Sequence, residues 1–150
     1  RQDEAVVVVA TRRHRDLFEG ALVGAGVDVE GARRAARYLD VDAEELLSRF
    51  MVDGVPDPNR FHTAVSKLIA GAASPAPAVR IYGEMVAVLW AEGNVAAAIA
   101  LEDLWNDLGC SHPFSLLCAY PTTAFDPIGT TGLFRTICEQ HSAHGPDGRP

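Results

Sequence analysis

Four short apolar segments recur along the chain, separated by longer stretches in which apolar residues follow the spacing of a helix face. Residues 5–10 contain four consecutive valines, and the other segments cover residues 38–41, 79–82 and 114–120. A short apolar run between polar residues is typical of a strand buried on both faces, as in parallel sheets. The alternation of strands and helices predicts an α/β fold with three layers, in which helices flank a mostly parallel sheet.

The stretches between these strands carry helix signals. Helix starts are predicted next to Thr11, Asp42, Pro58, Met85 and Asn94. A last helical period covers residues 133–141. The arginine-rich residues 31–37 are expected to form an irregular connection, and residues 53–58 a turn. Because a doubly wound domain seldom begins with a fully buried strand, an N-terminal strand and helix are expected to be missing. Residues 1–144 are predicted to form a single domain and residues 145–150 a flexible tail.

Composition and charge narrow the classes of function. A chain of 150 residues with 48% hydrophobic residues can bury the core of one domain. Its formal charge of -7 disfavours direct binding to nucleic acids and to anionic membranes. The arginine clusters within residues 12–15 and 33–37 are interpreted chiefly as solvated helix faces.

Cysteine usage and the absence of long apolar runs predict a cytoplasmic location. The three cysteines are an odd number without a pairing pattern, and Cys118 is expected to be a structural thiol in a strand. No apolar run approaches the roughly 20 residues that span a bilayer, and no leader is recognised. The histidines lack metal-ligand spacing, so neither a metal nor a cofactor is predicted.

The candidate functional residues centre on residues 79–85, where an apolar strand ends at a glycine and a carboxylate before a helix. Ligands of open α/β sheets bind outside the carboxyl ends of the strands, which makes Glu84 the first candidate. Arg80 and Tyr82 share one face of this strand. Structural alternatives stay open: Glu84 as the cap of the following helix, and Arg80 as the ion-pair partner of Glu84.

Three further residues complete the predicted ligand site. His14, at the start of the first helix, is a candidate ligand contact or pH-sensitive group, or simply a solvent-facing side chain. Trp90 belongs to the core by default, and its ring is also suited to an apolar ligand pocket. Asn94 stands at the Gly-Asn break between two helices.

Several motifs in order resemble the MEDS sensory domain, named for methanogen and methylotroph DcmR-type sensors. They are residues 6–15, 79–85, 89–94, 101–106 and 116–121. The resemblance implies a non-catalytic cytoplasmic sensory domain of bacteria and archaea, on a scaffold similar to RecA and KaiC. It also implies a small-molecule or protein signal and an attached or associated output module, such as a histidine kinase, an anti-sigma factor or a transcription regulator. A homodimer is left open, and the strand and helix with which family members begin are missing from this sequence.

Other classes of function remain as alternatives. A nucleotide-binding RecA-like domain with ATPase activity would need a P-loop, yet the single lysine, Lys67, follows no glycine-rich turn. A hydrolase could draw on Ser115, His112 and Glu84, but no nucleophile motif places them together. A third alternative is an interaction platform whose helix faces carry the function.

Overall fold

The fold is that of a computed structural model, which describes residues 4–74 and 78–120. Its strands are β1 (Glu4–Ala10), β2 (Tyr38–Asp42), β3 (Met51–Val52), β4 (Val55–Pro56), β5 (Ala78–Gly83) and β6 (Ser115–Cys118). Its helices are α1 (Arg12–Gly24), α2 (Val29–Arg34), α3 (Ala43–Phe50), α4 (Pro58–Ala73), α5 (Met85–Ala91) and α6 (Val95–Ser111). The fold is thus α/β, as the alternating pattern predicts.

A four-stranded, all-parallel sheet forms the centre of the fold, with helices on its faces. The strand order is β2-β1-β5-β6. The valine-rich strand β1 is central, and Val7 and Val9 are fully buried. The prediction of a parallel sheet flanked by helices is confirmed, and the architecture is consistent with three layers.

Each face of β1 packs against a different set of helices. On one face, Val8 and Ala10 form a cluster with Val29 of α2 and Tyr38 of β2. Elsewhere in the core Phe61 of α4 stacks edge-to-face on other aromatic rings, with centroids 5.2 Å from Phe50 and 5.3 Å from Trp105. These clusters hold the helices that frame the carboxyl ends of the strands.

Helix starts follow the predicted chemistry closely. The Asp42 side chain accepts hydrogen bonds from the backbone N–H groups of Glu44 and Glu45, which caps α3. Pro58 occupies the first turn of α4, where a missing N–H costs nothing. The Asn94 side chain accepts from Ala97 and caps α6. These three predicted starts are confirmed.

Three predicted segments differ from the structure in type or extent. Residues 31–37 do not form an irregular connection, because the helix α2 covers most of them and is capped by Asp28. Residues 53–58 contain more than a turn: β3 and β4 pair around Asp53 and Gly54, both at positive φ, as tight hairpins require. The last strand is shorter than residues 114–120 and only half-buried.

The predictions for the last part of the sequence fall on residues that the structure does not describe. The helix expected over residues 133–141 lies outside the described residues, as do Cys138 and residues 145–150. Within the part of the chain that the structure describes, no helix is both long and apolar enough to cross a membrane.

Candidate functional site

The parallel pairing of β1 with β5 places their carboxyl ends side by side. Val9 is in register with Gly83, and the backbone N–H of Glu84 donates to the carbonyl of Val9 over 2.9 Å. The residues that follow the two strands, Thr11 and Glu84, therefore emerge together at the sheet edge where open α/β sheets bind ligands. This position makes Glu84 a neighbour of the helix α1.

The Glu84 carboxylate collects hydrogen bonds from two elements. Oε2 accepts from the backbone N–H of Thr11 at 3.0 Å and from its hydroxyl at 3.4 Å. Oε1 accepts from the hydroxyl of Tyr82 at 2.8 Å, and Nδ1 of His14 lies 2.6 Å from it. We call Thr11, His14, Tyr82 and Glu84 the Glu84 cluster. It joins β5 directly to the N-terminus of α1.

The electrostatics of α1 explain why a carboxylate is stable there. The first turn of α1 contains no acidic residue, and the Thr11 side chain makes no capping hydrogen bond. The partial positive charge of a helix N-terminus favours an anion, and Glu84, which directly follows β5, supplies it. Glu84 occupies the N-cap position of α5, where its carbonyl accepts from the backbone N–H of Val88, but its side chain makes no capping bond there.

Exposure differs sharply across the Glu84 cluster. The Glu84 side chain is 7% exposed, whereas the His14 side chain is 50% exposed. A molecule in solvent can therefore reach His14, while the carboxylate that His14 contacts is enclosed. His14 forms the accessible rim of the cluster.

Tyr82 is held as a neutral hydrogen-bond donor. Burial, the hydrogen bond to Glu84 and repulsion from the same carboxylate raise the pKa of Tyr82 to about 12. Its ring packs edge-to-face on Phe18 of α1, with centroids 4.7 Å apart. Tyr82 thus contacts α1 through its ring and the carboxylate through its hydroxyl.

The structure separates Arg80 from this cluster. Its guanidinium donates to Glu4 at 2.9 Å, and the side chain is 58% exposed. The predicted ion pair with Glu84 is therefore wrong. Arg80 lies two residues before Tyr82, in register with Val6 of β1, and reaches solvent beside Glu4 rather than the carboxyl end of β5.

Trp90 and Asn94 also lie apart from the Glu84 carboxylate. Asn94 bonds to Ala97 through its oxygen and to the carbonyl of Gly54 through its nitrogen at 2.8 Å, which ties α6 to the hairpin. Trp90 is half-buried near the end of α5. Of the six candidate residues, His14, Tyr82 and Glu84 come together.

Two arginines of the clusters form ion pairs, although solvated helix faces are predicted for them. Arg15 pairs with Asp42 at 2.7 Å and with Asp40 at 3.5 Å. Arg33 pairs with Asp40, Glu19 and Glu30. Arg12, Arg13 and Arg34, in contrast, are surface residues.

Sequence reasoning missed the fully buried Glu102 on α6. Burial, and then the nearby Glu102 carboxylate, raises the pKa of the Cys118 thiol, which therefore stays protonated at neutral pH. The signal was present in the helical period, because Glu102 shares its face with Ala98, Leu101 and Trp105, all buried.

The residues considered for a hydrolase do not come together. His112 contacts Ser111, with Nδ1 2.9 Å from its hydroxyl, and Ser115 lies exposed on β6, so the hydrolase constellation does not form. Among residues 4–74 and 78–120, no group of three or more potential ligands is placed to hold a metal ion.

The fold and the site together define an α/β domain with a buried carboxylate at the carboxyl ends of its strands. The chain belongs to the MEDS family, described as the methanogen/methylotroph DcmR sensory domain, which matches residues 1–136. This family is a sensory domain family, which is consistent with a sensory or regulatory role for the chain. No curated protein and no solved structure matches the chain.

Proposed function

We propose that the chain is a non-catalytic signal-input domain whose signal acts on the Glu84 cluster. One observation carries the proposal: a single enclosed carboxylate ties β5 to the start of α1, and one of its partners, His14, is half-exposed. A ligand that contacts His14 competes directly for that tie. The cluster is thereby a point where an external molecule can alter a contact between two elements.

The helix α1 is the element best suited to respond. None of its residues is buried, although α3, α4, α5 and α6 each have buried residues. An element with few buried apolar contacts opens at low free-energy cost. Its position therefore depends strongly on the polar contacts at its start, which His14 and Arg15 make.

A signal shifts this equilibrium only if it binds one arrangement of α1 better than the other. A ligand that pairs with His14 in place of Glu84 favours the loosened arrangement, whereas one that bridges both groups favours the anchored one. The outward residues Leu17 and Val23 are 60% and 57% exposed, which supports α1 as the surface that an output module reads. That module is a histidine kinase, an anti-sigma factor or a transcription regulator, attached or associated.

A thermal-shift panel of methanol, methylamine, dichloromethane and ATP tests the proposal. A binding compound, present at a concentration ten times its Kd, should raise the Tm of the wild type by about 3–6 °C. The Glu84→Gln and Tyr82→Phe variants, each compared with its own ligand-free Tm, should lose at least about half of that shift because they alter the carboxylate and its donor.

Glu92→Gln is the matched control, since Glu92 is an exposed carboxylate that ends α5. Its response should equal that of the wild type. If a compound stabilises the wild type, Glu84→Gln and Tyr82→Phe equally, the Glu84 cluster is not the signal contact. Stabilisation by ATP alone would favour the nucleotide-binding alternative.

A further inference from the structure

A groove separate from the Glu84 cluster runs along the open edge of β2. It has a volume of about 560 Å³ and lies between β2 and the helices α3 and α4. β2 pairs only with β1 within the described sheet, so its other edge faces this groove. The volume is in the range typical of small-molecule sites, about 300–1,000 Å³.

Every acidic side chain that lines the groove already has cationic partners. Asp42 accepts from Arg15 and from two backbone N–H groups of α3. Arg15 and Arg33 both pair with Asp40. Glu45 pairs with Arg49 over 2.6 Å. The groove therefore has little residual capacity to attract a cation.

Lys67 lines the groove without an ion pair to any of these acidic side chains. Among the described residues, no carboxylate lies within ion-pairing distance of its ammonium group. On α4 it stands beside Ala64, Leu68 and Gly71, which line the same groove. An ammonium group and apolar side chains in one groove provide a charge contact and a surface for a hydrocarbon tail.

We propose that this groove binds a small organic carboxylate with a short apolar tail. The carboxylate pairs with Lys67, and the tail lies against Leu39, Leu46 and Leu68. Arg49 is a second donor within reach of the groove, because its pair with Glu45 is solvent-exposed and weak. None of the residues that line the groove belongs to the Glu84 cluster, and the proposal does not rest on the proposed signal contact.

The single lysine of the sequence allows a direct experiment. Reductive methylation with ¹³C-formaldehyde keeps the charge of Lys67 and gives its side chain one methyl resonance, apart from that of the N-terminal amine. Titration with hexanoate should shift the Lys67 resonance saturably. Hexanol and hexylamine have the same tail without the negative charge and should bind at least about fivefold more weakly.

Paired variants then test the residue. Isothermal calorimetry should show that Lys67→Gln weakens hexanoate binding about fivefold, as expected for an exposed charge contact. Arg60→Gln removes an exposed cation at the other end of α4 and should leave the Kd within about twofold. Glu92→Gln, which removes an exposed carboxylate outside both the groove and the Glu84 cluster, should also leave the Kd within about twofold.

Two results would overturn the proposal. One is hexanol binding as tightly as hexanoate, which would mean that the groove recognises only the tail. The other is an unchanged Lys67 resonance up to millimolar hexanoate. Neither result bears on the Glu84 cluster.

Discussion

Glu84→Ala is expected to lower the free energy of unfolding by about 2–4 kcal/mol, measured by urea denaturation. The substitution leaves the Tyr82 hydroxyl and the Thr11 N–H without their acceptor and removes the negative charge from the start of α1. Glu84→Gln keeps one acceptor oxygen and should cost less, about 1–2 kcal/mol.

The matched control is Glu92→Ala, which removes an exposed carboxylate at the other end of α5. It should change the unfolding free energy by no more than about 0.5 kcal/mol. Equal effects of the two alanine substitutions would show that the bonds to Glu84 contribute no net stability.

Phe61→Ala is expected to have the largest effect, a loss of about 3–5 kcal/mol in urea unfolding. The Phe61 ring is fully buried and contacts both Phe50 and Trp105. Its removal leaves a cavity between α3, α4 and α6 and forfeits edge-to-face contacts. For a domain stable by about 5–15 kcal/mol, this is a large share of the total.

Leu17→Ala provides the comparison for a large apolar residue at the surface. Its side chain is 60% exposed on α1, so its truncation should cost at most about 0.5 kcal/mol. If Phe61→Ala were tolerated as well as Leu17→Ala, the aromatic cluster would not be the core of the domain.

Local chemistry made much of the fold predictable from the sequence. Four consecutive valines have the pattern of a buried parallel strand, and β1 is one. Asp42 before an amphipathic segment predicts a helix cap, because its carboxylate reaches the first free N–H groups. Such signals act over a few residues and do not depend on the rest of the chain.

Contacts that depend on strand order could not be predicted in this way. Thr11 and His14 meet Glu84 because β1 is the neighbour of β5. In the sequence Thr11 is 73 positions and His14 70 positions away from Glu84. No periodicity encodes that adjacency. The sequence identifies Glu84, Tyr82 and His14 as separate candidates, while the contacts that join them, and the part played by Thr11, come only from the structure.

The sequence also does not show which parts of the sheet the helices cover. Arg80 alternates with the buried residues Val79 and Ile81, which fits either a covered or an uncovered sheet face. In the structure Arg80 reaches solvent and pairs with Glu4, whereas Tyr82 on the same face of β5 packs against Phe18 of α1. A sequence pattern shows on which face of the strand a side chain lies. Whether a helix covers that face depends on the whole topology.

Amide hydrogen exchange in the wild type and Glu84→Gln tests most directly whether the Glu84 carboxylate anchors α1. We expect the Thr11 amide and the first turns of α1 to exchange about tenfold faster in Glu84→Gln, because one anchoring bond of about 1–2 kcal/mol is weakened. The buried helices α4 and α6 should keep their protection. Unchanged exchange in α1, or equally faster exchange in all helices, would contradict this account.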